Sequence, residues 1–129
     1  MECDGMVSLW LVKTHDANTL ESVMEESYTE DGDFIPGPFA SCFGIDHYDH
    51  DFLEAAYVGE ICNVDNVLTG ASYDSMISKG FRSFLTDNDA ELKNFNAIIL
   101  LYNFSYDGNV VVASHNDTYF KFVGTVPYI

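Results

Sequence analysis

The side chains best suited to metal or proton chemistry lie in one short stretch, residues 46–51, which reads DHYDHD. Imidazole and carboxylate groups together are typical ligands of zinc and other transition metals. The spacing of His47 and His50 matches no known local metal signature, and a hydrated acidic loop explains the same residues. We therefore predict no metal and no cofactor, with a metal-dependent enzyme using His47 and His50 kept as an alternative.

A second possible reactive pair is Cys42 with His47, because a nearby histidine can activate a thiolate. Cys42 lies between two phenylalanines on a probable buried face of a short helix, where cysteine packs as a small hydrophobic residue. The sequence contains no G-x-S-x-G elbow, no P-loop and no G-x-G-x-x-G fingerprint. These observations predict a protein that is not an enzyme.

Carboxylates are concentrated in the same half of the chain. Residues 25–60 carry ten Asp and Glu side chains, and residues 14–78 carry fourteen, without one Lys or Arg in either range. Like charges this close repel one another in the folded state, so a positively charged partner would relieve a repulsion that the fold alone does not. Because typical soluble surfaces mix both signs, we interpret the acidic stretch as a binding surface.

The overall charge restricts the class of partner. The 129 residues include 21 acidic and 5 basic side chains, for a formal net charge of −16. Such a surface repels phosphate backbones and anionic lipids and attracts cationic proteins, so we predict neither nucleic acid nor membrane as a partner. Repulsion across the acidic face also favours a monomer over an oligomer.

The compartment is predicted from the N-terminus and the cysteines. The first ten residues, MECDGMVSLW, have acids where a secretory signal needs Lys or Arg, and no apolar run approaches a membrane span. Three cysteines are an odd number without metal-type spacing, which is typical of free thiols in a reducing compartment. We predict a cytoplasmic protein.

The chain is long enough for one hydrophobic core, so we predict a single domain over residues 1–129. Residues 6–12 are almost continuously apolar, which indicates a central strand covered on both faces. Asn18 and Glu21 suggest a capping box, and Asp107-Gly108 suggests a hairpin. The other predicted strands are residues 52–58, 97–102, 110–113 and 119–126, and the predicted helices follow Asn18 and cover residues 39–43, 64–68 and 72–85.

These elements predict an α+β fold. Its mostly antiparallel sheet has about five strands, helices pack mainly on one side, and the C-terminal strands form a three-strand meander.

Several short motifs, in order along nearly the whole chain, resemble the immunity protein 22 family. They are SLW at residues 8–10, DGDFIP at 31–36, YDHDF at 48–52 followed by Glu54, AIILLYNF at 97–104 and YDG at 106–108. The resemblance implies a bacterial cytoplasmic α+β protein that neutralises a cognate toxin of a polymorphic or contact-dependent system. It implies inhibition by binding, without catalysis.

The charge and the resemblance agree on a cationic protein partner, such as a basic nuclease-type toxin, because nucleases need Lys and Arg to hold phosphate. An acidic DNA mimic or regulatory binding protein outside any toxin pair is the alternative. Tyr48 is expected to act as an aromatic anchor within a polar rim. The predicted toxin-binding residues are Asp31, Asp33, Asp46, Tyr48, Asp49, Asp51 and Glu54.

Overall fold

A computed structural model describes residues 2–61, 74–82, 84 and 90–128 of the chain, and its centre is an antiparallel sheet of five strands. The predicted α+β class, the single large antiparallel sheet and the run of C-terminal strands are confirmed. The strands of this sheet are β1 (Glu2–Lys13), β4 (Leu53–Tyr57), β5 (Ala97–Phe104), β6 (Val112–His115) and β7 (Thr118–Pro127). Their order across the sheet is β4-β5-β1-β7-β6. A separate two-stranded hairpin consists of β2 (Ser27–Tyr28) and β3 (Phe34–Ile35).

β1 is the central strand and is covered on both faces, as its apolar sequence predicts. It pairs with β5 along one edge and with β7 along the other. Val7, Leu9 and Leu11 enter one hydrophobic core, whereas Trp10 and Val12 enter a second core on the opposite face. A strand that buries both faces needs apolar residues at every position, which explains the continuous run.

Helices cover both faces of the sheet, which corrects the prediction that they pack mainly on one side. On the face of Trp10, which we call the α1/α2 face, lie α1 (Ala17–Val23) and α2 (Pro38–Cys42). On the face of Leu9, which we call the α3 face, lie α3 (Asp74–Phe81) and a 3₁₀ helix (Ala90–Asn94). Because β1 and β5 both direct apolar side chains to each face, each face requires a covering layer.

The connection after β5 differs from the predicted hairpin at Asp107-Gly108. β5 pairs with β1 and β4, and β6 pairs with β7 instead. The hydroxyl of Tyr106 accepts a hydrogen bond from the Val110 amide (3.1 Å) and donates one to the Val110 carbonyl (3.0 Å). A tyrosine side chain therefore holds a turn that the sequence assigns to strand pairing.

Capping side chains, proline and glycine set the boundaries of the helices. α1 begins at Asp16, whose carboxylate accepts hydrogen bonds from the amide and hydroxyl of Thr19 (2.7 and 2.8 Å), so the predicted cap at Asn18 is wrong. α2 has Pro38 in its first turn and Gly44 at φ +66° after its end, and it covers most of the predicted helix at residues 39–43.

Part of the predicted helical content lies outside the described residues. This applies to the predicted helix at residues 64–68 and to residues 72, 73, 83 and 85 of the predicted helix at 72–85. Within the second range, the structure has α3 (Asp74–Phe81). Within the described part of the chain, every helix is too short or too polar to span a bilayer.

Candidate protein-binding surface

The β2–β3 hairpin presents two of the predicted carboxylates. Its turn is closed by hydrogen bonds from the Thr29 amide to the Asp33 carbonyl (2.8 Å) and from the Asp33 amide to the Thr29 hydroxyl (3.0 Å). Gly32 takes φ +88° in this turn, a conformation that favours glycine. Asp31 and Asp33 are exposed at the turn, where both carboxylates face water.

Aromatic rings attach this hairpin to the segment that carries the other carboxylates. The ring of Phe34 lies edge-on to three rings, with centroid distances of 5.8 Å to Tyr28, 5.2 Å to His47 and 5.4 Å to Tyr48. Aromatic pairs at such distances add stability beyond the area that they bury. Asp33, next to Phe34, and Asp46, next to His47, are therefore held on one surface.

The segment after Asp46 is shaped by its own acidic side chains. Asp49 caps a 3₁₀ helix (His50–Phe52) by accepting a hydrogen bond from the Asp51 amide at 2.9 Å. Asp46, Asp49 and Asp51 are all exposed. The structure thus brings five of the seven predicted residues, Asp31, Asp33, Asp46, Asp49 and Asp51, onto the α1/α2 side of the molecule.

Tyr48 does not reach this surface, which corrects the expectation of an exposed aromatic anchor. Its side chain is only 5% exposed and belongs to the α1/α2 core. Burial, with the negative charge of the nearby Glu26 carboxylate, raises the pKa of Tyr48 far above its ordinary value. Tyr28, the other tyrosine that the sequence places beside acids in a loop, is exposed, and sequence reasoning missed the exposed ring of Phe52. Phe52 ends the 3₁₀ helix before β4, so no strand alternation in the sequence marks its direction.

Glu54 lies apart from the other predicted carboxylates. In the antiparallel register it is opposite Leu100, whose side chain is in the core of the α3 face. Residues directly opposite one another on neighbouring strands project to the same face of a sheet. Glu54 therefore projects away from the α1/α2 side, because the alternation along β4 decides its direction.

The sheet also separates ten of the carboxylates from the basic residues. Ten carboxylates from Asp16 to Asp51 belong to α1, to the β2–β3 hairpin and to the segments beside them, on the α1/α2 side. The basic residues occupy elements or strand positions on the α3 side. Lys79 and Arg82 lie in and just after α3, Lys93 lies in the 3₁₀ helix before β5, and Lys13 and Lys121 line a cleft with Phe95 of the α3-face core.

The groups that suggested metal chemistry have other contacts. His47 packs against Phe34, and Nδ1 of His50 lies 2.8 Å from Oε1 of Glu26. Among the residues that the structure describes, no three His, Cys, Asp or Glu side chains are grouped to hold an ion. Cys42 is partly buried against the α1/α2 core, and this burial raises the pKa of its thiol, which lowers the thiolate fraction.

Comparison with known proteins identifies one family. Residues 7–128 match the family model described as Immunity protein 22, which is nearly the whole chain. No curated protein and no solved structure matches the sequence.

Proposed function

The chain belongs to the immunity protein 22 family, and we propose that it binds and neutralises a basic, nuclease-type bacterial toxin through the carboxylates of its α1/α2 side. The observation that carries this proposal is that ten carboxylates lie on the α1/α2 side without a base among them, whereas the five bases lie on the α3 side. A protein that needed acidity only for solubility would have no reason to confine its five bases to the α3 side.

The mechanism is inhibition by occupation, with no catalytic step. A nuclease holds its phosphate substrate with Lys and Arg side chains, and a rigid array of carboxylates is complementary to the same groove. Asp31, Asp33, Asp46, Asp49 and Asp51 provide this array on a hairpin and a segment joined through Phe34. Long-range attraction between the two charged surfaces also speeds their encounter.

Co-expression with the product of the neighbouring toxin gene tests the proposal. Wild-type protein should restore growth and co-purify with the toxin, and the variant D31K/D46K should do neither. The matched control is D107K/D117K, which makes the same change in net charge at two exposed positions outside the β2–β3 hairpin and the segment at residues 46–51. Thermal melts should show that both variants fold, because none of the four side chains has a structural partner described above.

If D31K/D46K binds the toxin and protects as well as D107K/D117K does, the acidic surface of the α1/α2 side is not the toxin-binding surface. If the wild-type protein itself neither binds nor protects against the toxin, the proposed function is wrong.

A further inference from the structure

A cleft of about 270 Å³ lies beside the acidic surface, between residues 47–52 and the last residues of β5. Small-molecule sites usually enclose about 300–1,000 Å³, so this cleft suits a single side chain better than a free metabolite. Its lining combines carboxylates with aromatic rings, and His47 and Tyr48 also contribute. The carboxylates are Glu2, Asp4 and Asp49, and the aromatic residues are Phe52, which is exposed, and Tyr102 and Phe104, which are buried.

The cleft is built by a distortion of the β1–β5 pair. Their register shifts between Glu2 and Val7, and two residues at this point take left-handed backbone conformations, Gly5 at φ +81° and Asn103 at φ +55°. Glycine and asparagine are the residues that adopt this conformation most readily. Bulges of this kind redirect side chains and are frequent beside functional sites.

Hydrogen bonds hold the distortion in place. Oδ1 of Asn103 accepts from the Gly5 amide at 2.9 Å and from the Tyr128 hydroxyl at 2.7 Å, and the Tyr128 amide donates to the Gly5 carbonyl at 3.0 Å. Three separate parts of the chain therefore meet behind the cleft. The opening is a constructed feature of the fold, and it brings Glu2 and Asp4 to the same cleft as Asp49.

From this arrangement we propose that the cleft receives one Arg or Lys side chain of the bound toxin. The inference rests on the proposed function and names the place where the partner is anchored. The carboxylates of Glu2, Asp4 and Asp49 attract the cationic head group, and no Lys or Arg lines the cleft to oppose it. The aliphatic stem packs along Phe52, whose ring is 40% exposed at the rim.

Enclosure beside an aromatic ring, that of Phe52, distinguishes this cleft from the rest of the acidic surface. A guanidinium or ammonium group near an aromatic face gains a cation–π attraction, which is larger where water is excluded. Enclosed pockets that take an Arg anchor and are surrounded by polar residues are typical of binding hot spots. The exposed carboxylates of the hairpin have no such enclosure, so they act at longer range.

A probe without any toxin tests the chemistry of the cleft. Titration of isotopically labelled protein with N-acetyl-arginine methylamide should shift the amide resonances of Asp4, Asp49, Phe52 and Asn103. The uncharged isostere N-acetyl-citrulline methylamide should leave them unchanged. The variant E2Q/D4N should lose the response to the arginine compound, whereas D31N/D46N should retain it. Absent shifts, or equal shifts with both compounds, overturn the proposal.

Measurements of toxin binding then test whether the cleft receives a side chain of the toxin. We expect E2Q/D4N and F52A each to raise the Kd for the toxin about tenfold or more, mainly by faster dissociation. Wild-type affinity in both variants overturns the anchor while leaving the proposed function intact. A wild-type protein that does not bind the toxin overturns the proposed function, and the peptide titration still decides whether the cleft accepts a guanidinium group.

Discussion

The Nδ1 atom of His50 lies 2.8 Å from Oε1 of Glu26, and this contact joins the 3₁₀ helix before β4 to the segment that follows α1. The two partners differ in environment, since the Glu26 side chain is 11% exposed and the His50 side chain is 68% exposed. Oε2 of Glu26 is buried and has no hydrogen-bond partner among the described residues. Glu26 is therefore the partner whose removal is expected to affect stability more.

We predict that Glu26→Ala lowers the free energy of unfolding by about 1–3 kcal/mol, because it removes a largely buried side chain together with its contact to His50. His50→Ala should lower it by no more than about 1 kcal/mol, as expected for an exposed ion pair. Urea denaturation measures both changes. Glu25→Ala is the matched control, because Glu25 is next to Glu26 in the sequence but its side chain is exposed. The effect of Glu25→Ala should be within about 0.5 kcal/mol. Equal effects of Glu26→Ala and Glu25→Ala would contradict this account.

The buried Tyr48 predicts a loss of stability at alkaline pH. Burial raises the pKa of Tyr48 in the folded protein above the unfolded value of about 10, so the folded state keeps a proton that the unfolded state releases. The contribution is complete below pH 10 and decreases as the pH rises above it. The difference in unfolding free energy between wild type and Tyr48→Phe should therefore shrink as the pH rises from about 9 to about 12. A constant difference over this range is the result that this explanation does not allow.

Because Asp16 caps α1, we predict that the contribution of this cap to the stability of the protein is lost in acid. Hydrogen bonds from the Thr19 amide and hydroxyl lower the pKa of Asp16. The stabilisation is present above the unfolded pKa of about 3.9 and is lost as the pH falls through the lower folded value. Asp16→Ala should reduce the melting temperature at neutral pH, and this reduction should disappear at strongly acidic pH. Asn18→Ala, in the same helix, should have little effect at either pH; a larger effect than Asp16→Ala would assign the cap to Asn18.

The separation of charge predicts that the association rate depends on salt. Because exposed charges act over a screening length of about 10 Å at 0.1 M salt, the rate constant for toxin binding should fall as salt is added. Stopped-flow measurements should show a shallower dependence for D31K/D46K and an unchanged one for D107K/D117K. Asp31→Ala alone should slow association more than it speeds dissociation. An association rate that is independent of salt would argue against long-range attraction by these carboxylates.

Local patterns in the sequence were sufficient to predict the secondary-structure elements that depend on neighbouring residues alone. The apolar run around Trp10 predicts a strand buried on both faces, and Pro38 with Gly44 predicts the limits of α2. Pairing across the sheet is a different matter, because Asp107-Gly108 indicates a turn without indicating which strands lie beside it. β1 takes the place next to β5 through contacts between the two ends of the chain, which no local pattern records.

The candidate surface shows the same division. The absence of bases between residues 14 and 78 indicates where negative charge accumulates, and five of the predicted carboxylates are exposed together. The direction of a single side chain depends on its strand register or its neighbours, which explains the outcomes for Glu54 and Tyr48. The distortion at Gly5 and Asn103 had no signal in the sequence, because its cause is a hydrogen bond between distant residues.

The central position of β1 has a consequence for protein synthesis. This strand is translated well before the strands beside it, which are residues 97–104 and 118–127. Until then the valines, leucines and tryptophan of β1 have no neighbouring strand, and closing such long loops is slow compared with forming a helix. The sheet beneath the proposed binding surface can therefore be completed only after translation of β7.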